Sequence, residues 1–145
     1  MATERKASVT WQGDLMSGQG TIESVTSGVL GSLEVDWANR AEDAQGKTSP
    51  EELLAAAHAG CFAMSLAGEL REQDARIAVT ANVVLDEVDG QGHQIVESQL
   101  TVRARVPALD PEAFDRAVEA ADEGCPFSRL IAAGAQVTID ARLEE

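Results

Sequence analysis

The chain contains no tyrosine and only three phenylalanines and two tryptophans in 145 residues, so its core cannot be organised around large rings. Basic residues are scarce as well. Eleven Lys and Arg face 25 Asp and Glu, for a formal charge of −14. Phosphate recognition needs clustered cations, which excludes nucleic acid as a partner and an anionic membrane surface with it. The plain role of the acidic excess is solubility. There are no repeats, no low-complexity segments, no glycine-rich phosphate loop and no dinucleotide fingerprint. His58, Cys61, His93 and Cys125 match no zinc spacing, so neither metal nor cofactor is expected. The longest uncharged run, 53–68, includes His58 and Ser65 and falls short of the ~18 apolar residues a membrane span requires. Residues 1–10 lack the apolar segment flanked by basic residues that marks a signal peptide, and a cytoplasmic location is expected. In such a reducing compartment two cysteines are not a permanent staple; they are inert core residues or redox groups.

What the chain has is small apolar filler. Alanine, valine and leucine dominate an apolar content of 44%, enough for one hydrophobic core and a single domain over 1–145. The first third reads as short strands between glycine turns: 8–12, 20–25 and 28–37, followed by a polar loop over 39–48. Ser49, Pro50 and Glu52 form a capping box that opens a helix running to about Leu70, apolar nearly all round and therefore expected to be buried. Alternation over 77–85 and 100–106, separated by an Asp89-Gly90-Gln91-Gly92 turn, predicts a β-hairpin. Asp110-Pro111 starts a second helix ending near Gly124, and Cys125-Pro126 starts a short third one closed by Gly134. Val137, Ile139, Ala141 and Leu143 make a last strand. The order predicts an α+β protein with antiparallel sheets packed on helices.

The two cysteines differ in setting. Cys61 lies in Ala-Ala-Ala-His-Ala-Gly-Cys-Phe-Ala-Met (55–64), deep in the apolar helix, and two readings stay open: a small core hydrophobe or a nucleophile. Cys125 precedes a proline at a helix start, where unpaired N–H groups and the positive dipole end favour thiolate; the bland alternative is a capping residue that happens to be cysteine. A buried Cys61 ionises only beside an opposite charge. Arg40, in the loop before the helix, is the best candidate, with Glu51 to hold its guanidinium bidentately; Arg129 and Lys47 are the fallback cations. Glu51 and Cys61 are ten residues apart, about 15 Å along a straight helix. Two copies of the helix crossing antiparallel near Ala56 would place residue 51 of one opposite residue 61 of the other, and Ala55, Ala56, Ala57, Ala59 and Gly60 are small enough to allow it. An isologous homodimer with two composite sites is therefore expected. His58, one turn before Cys61, reads as a hydrogen-bonded core histidine rather than half of a Cys-His pair, and His93 as a strand residue.

Ser-Pro-Glu-Glu-Leu-Leu-Ala-Ala-Ala-His-Ala-Gly-Cys-Phe-Ala-Met (49–64) and Cys-Pro-Phe-Ser-Arg-Leu (125–130) resemble the two cysteine motifs of the osmotically inducible protein C (OsmC) and organic hydroperoxide resistance family. The similarity extends to Trp11-Gln12-Gly13-Asp14 and to the closing segment 137–143, and the position of Arg40 is similar to the OsmC branch. The resemblance implies an intertwined dimer with central helices wrapped by two sheets and sites at the subunit interface. It implies a peroxidase with Cys61 peroxidatic and Cys125 resolving, Arg40 stabilising thiolate and peroxide, Glu51 orienting Arg40, and a dithiol reductant of lipoyl type. Gly60 before the cysteine and Phe127 after Cys-Pro depart from the family pattern. Leu53, Leu54, Phe62, Met64 and Phe127 read as walls of an alkyl-binding pocket or, taken singly, as ordinary core. Two other classes compete: a redox sensor that uses the cysteine pair without turnover, and a structural dimer with inert thiols.

Overall fold

The computed structural model describes residues 1–72 and 74–145, which divide into two compact units, Met1–Pro50 and Glu51–Glu145. The first holds an antiparallel three-stranded sheet, β1 (Ala7–Gln12), β2 (Gln19–Ser24) and β3 (Leu33–Val35), in that spatial order. Trp11 pairs with Gly20, and Gly20 with Val35. A Cβ on Gly20 would sit 2.8 Å from the Trp11 ring, so glycine is what lets the indole lie on the sheet. Of this unit's apolar side chains only Ile22 and Val35 are buried, while β1 is exposed along its whole length.

The predicted strand over 28–37 shrinks to three residues because Asp36 caps a helix instead. Its carboxylate accepts from the Asn39 backbone N–H at 2.8 Å, starting α1 (Trp37–Ala41) where the sequence read as loop. Lys47 comes back to the same carboxylate at 2.8 Å and, with Asn39, holds it down to a pKa of about 2.

The second unit is built on α2 (Pro50–Leu70) and a sheet of β4 (Arg76–Val88), β5 (Gly92–Arg105) and β6 (Gln136–Glu144). The hairpin is longer than its alternation suggests. A register shift at Val84/Leu85 breaks the two-residue period, and the first half of β5 shows no alternation because its apolar Ile95 and Val96 are adjacent among polar residues. Gly90 and Gly92 both take positive φ in the turn, where a Cβ would be strained. The chain then crosses over through α3 (Pro111–Gly124) and α4 (Pro126–Ala132), and β6 returns parallel to β5. The second sheet is thus mixed, not antiparallel throughout; two intervening helices give the connection length that a parallel return requires.

Leu100, Val102 and Ala104 on the inner face of β5 pack with Phe62 and Leu66 of α2, Phe114, Val118 and Ala121 of α3, and Cys125. Full burial of Phe62 alone stabilises by ~1.5–3 kcal/mol. The core therefore gathers around the side of α2 that carries residues 58, 62 and 66. The expectation of a wholly buried α2 is not met within one chain. Met64 is 76% exposed and Ala56 and Ala67 are exposed as well. By length and composition α2 could cross a membrane. Its His58 is instead fully enclosed and hydrogen-bonded to β5 and α4.

Candidate active site

Alpha-helical spacing puts His58, Cys61 and Phe62 on one flank of α2, and the crossover brings the joint between α3 and α4 against it. The result is a thiol pair. The Cys61 and Cys125 sulfurs lie 3.4 Å apart, unbonded and sharing a hydrogen bond. A disulfide needs about 2.05 Å, so closure asks for a small approach and no refolding. Cys125 is completely buried and Cys61 half-buried.

Cys125 sits where its own motif leads. Pro126 opens α4, and Cys125 acts as N-cap, its sulfur accepting from the Ser128 backbone N–H at 3.4 Å. The Cys125 backbone N–H is used too, donating to the Asp122 carbonyl at the end of α3 at 3.2 Å. Burial pushes the Cys61 thiol above the ordinary cysteine range, and the neighbouring Cys125 pushes the same way. The Phe127 backbone N–H and the Ser65 hydroxyl pull back only in part. None of the groups setting this balance, among the described residues, is a cation. Within its own unit Cys61 therefore rests as a thiol.

His58 joins this site from behind. One ring nitrogen, Nδ1, is 2.7 Å from Ser98 Oγ of β5, and the other, Nε2, is 2.8 Å from Ser128 Oγ of α4. Burial depresses its pKa, with Asp122 acting weakly the other way, so the ring is neutral. Neither serine was singled out by sequence reasoning. The available signal was Ser98, a hydroxyl in an otherwise apolar row with Leu100, Val102 and Ala104, facing inward with no exposure.

The other expected site residues fall as follows. Arg40 lies in α1 of the first unit, its guanidinium 6.0 Å from the Trp37 ring centre. It lines an open, largely apolar pocket of about 430 Å³ with Val9, Trp11, Leu15 and Trp37. Glu51 is buried in the first turn of α2, in the second unit. Leu53, Leu54 and Phe127 are half-buried and Met64 is exposed, whereas Phe62 is wholly enclosed in the core. A larger pocket of about 810 Å³, beside Val106, Leu109 and Phe114, contains neither sulfur. Among the described residues no group of three His, Cys, Asp or Glu is placed to hold a metal ion.

A family model described as OsmC-like protein matches residues 42–140, which takes in Glu51, Cys61 and Cys125 and begins two residues after Arg40. The chain belongs to the OsmC-like family. Peroxiredoxin OsmC of Escherichia coli (strain K12) is 38% identical over 147 residues, covering 99% of this chain and 99% of that protein. Organic hydroperoxide resistance protein OhrB of Bacillus subtilis (strain 168) is 32% identical over 117 residues, covering 78% and 82%. The crystal structure of OhrB from Bacillus subtilis aligns with a TM-score of 0.69 at 28% identity, over 94% of this chain and 98% of that one. An organic hydroperoxide resistance protein from Elizabethkingia anophelis shares the fold at a TM-score of 0.73 and 23% identity, over 99% and 100%. The α+β architecture expected of an OsmC-like chain is what these structures have.

Proposed function

We propose that this OsmC-like protein is a cytoplasmic thiol peroxidase that reduces organic hydroperoxides as a homodimer, without metal or cofactor. The observation that carries the reading is the 3.4 Å approach of two unbonded sulfurs, one buried and one half-buried. The names of the similar proteins, a peroxiredoxin and organic hydroperoxide resistance proteins, support the same chemistry.

Arg40, oriented by Glu51, stabilises the Cys61 thiolate and polarises the peroxide in a site composed between two copies. The thiolate attacks the distal peroxide oxygen, the O–O bond breaks, and the alkoxide leaves as alcohol after taking a proton. Cys61 is left as sulfenic acid. The Cys125 sulfur then attacks the Cys61 sulfur, an S–S bond replaces the S–OH bond, and the hydroxyl departs as water with the Cys125 proton. An external dithiol, of the lipoyl type, reduces the disulfide by exchange and is itself oxidised to a disulfide. Apolar side chains beside Arg40, Trp11 and Leu15 among them, suit an alkyl hydroperoxide better than hydrogen peroxide. Leu53, Leu54, Met64 and Phe127 are the walls we assign on the cysteine side; Phe62 serves the core.

Exposed Met64 and the small residues of α2 support the dimer, since a second copy would cover them. The decisive experiment follows cumene hydroperoxide with dihydrolipoamide in excess over enzyme. Many turnovers are expected, faster than with hydrogen peroxide and slower with a monothiol. Oxidation that stops at one equivalent whatever the reductant would make the protein a sensor, and no reaction of Cys61 at all would leave a structural dimer.

A further inference from the structure

We propose that the buried Ser98–His58–Ser128 chain is a strut that positions the resolving cysteine, so that His58 controls how fast the oxidised Cys61 is closed into a disulfide. The inference rests on the peroxidase reading and concerns its second step. Three elements meet at one imidazole: β5 through Ser98 at 2.7 Å, α2 through His58 itself, and α4 through Ser128 at 2.8 Å. His58 and Ser98 have no exposure and Ser128 has 3%, so water cannot replace a lost partner.

A neutral imidazole has one N–H and one lone pair, so one serine hydroxyl accepts from the ring and the other donates to it. Both ring nitrogens are then occupied, and the ring has neither proton nor lone pair to spare for a sulfur. This makes His58 a positioning residue and not a base. Its leverage comes from Ser128. The hydroxyl of that residue is held by the imidazole while its backbone N–H donates to the Cys125 sulfur at 3.4 Å. The first turn of α4 is thereby tied to α2, the helix that carries Cys61, and the two sulfurs are kept 3.4 Å apart.

During closure the Cys125 sulfur bonds to the Cys61 sulfur and the sulfenic hydroxyl leaves as water with the Cys125 proton. The peroxide has already supplied the oxidising power. A strut that fixes the attacking sulfur bears chiefly on this step rather than on the preceding attack on peroxide.

The test separates the two steps by stopped-flow with one equivalent of cumene hydroperoxide, with mass spectrometry of Cys61 in excess peroxide. In Ser128→Ala the rate of sulfenic acid formation stays that of the parent protein. Closure slows about tenfold or more, and sulfinic acid accumulates at Cys61. Ser128→Thr, which keeps the hydroxyl, restores closure. Ser98→Ala, which cuts the far end of the chain, slows it by a smaller factor. Closure at the parental rate in both alanine variants, or slowing of both steps together with a drop in Tm that threonine does not reverse, overturns the proposal. If the parent protein itself forms no disulfide, it is the peroxidase reading that fails, and the two results are told apart.

Discussion

The two units of this chain treat apolar residues in opposite ways. The second folds its helices over one face of its sheet and buries Phe62, Leu66, Leu100, Val102 and Phe114 around the thiol pair. The first, with Val9, Trp11, Leu15 and Val29 exposed, buries only Ile22 and Val35. One unit has a core of its own, though α2 leaves Met64 exposed, and carries the sulfurs; the other displays its apolar side chains and carries Arg40. The lesson is that the two cysteines and Arg40 are held on scaffolds of different independence.

The largest effect that would break this comparison is chemical. If Arg40 has the proposed role, Arg40→Ala should lower the rate on cumene hydroperoxide by ~10²–10³-fold with the far-UV spectrum unchanged, because a transition-state charge is lost and not a piece of core. A loss under threefold would assign the cation to Lys47 or Arg129. Next comes the core itself. Phe62→Ala should cost ~3–5 kcal/mol in urea unfolding, against ~0.5–1.5 kcal/mol for Ile22→Val in the first unit. A cost at Ile22→Val as large as that at Phe62→Ala would mean the first sheet has a hidden core of its own.

A third outcome sharpens the exposure of α2. Met64→Ala should change the stability of a monomer by no more than ~0.5 kcal/mol. Met64→Asp, by contrast, should raise the dissociation constant of the dimer in sedimentation by about tenfold or more if a second copy covers that face, since a carboxylate would be buried. The smallest effect is a pH dependence. The pKa of His58 is depressed below its unfolded value of 6.5, so the unfolded chain takes up the proton first as pH falls. Stability contributed by the neutral ring is fully present above pH 6.5 and declines below it, towards the lower folded pKa. Thermal melts between pH 8 and 5 should show this decline in the parent protein and a flatter profile in His58→Gln.

Much of the second unit was legible in the sequence because its signals are local. Ser49-Pro50, Asp110-Pro111 and Cys125-Pro126 mark helix starts, and two-residue alternation marks β4 and β6. The failures have physical causes. The short helix at Trp37 rests on Asp36, whose capping role competes with an apolar pattern that reads as strand. The early part of β5 was missed because a register shift resets the period that strand recognition depends on. The parallel return of β6 is a property of the crossover and leaves no trace in β6 itself. In the candidate site the cysteines were legible through their surroundings. The serines on either side of His58 were not, since their pairing spans 40 and 70 residues of sequence.

The parallel pairing of β5 with β6 has a consequence for biosynthesis. β6 docks on residues laid down about forty positions earlier, and everything between them, both helices and Cys125, must be made before that edge can form. A chain still being translated therefore has a complete hairpin but no third strand to lean its helices on. The meeting of the two sulfurs is a late event in the life of the molecule, and a ribosome-bound intermediate would present Cys61 before its mate exists.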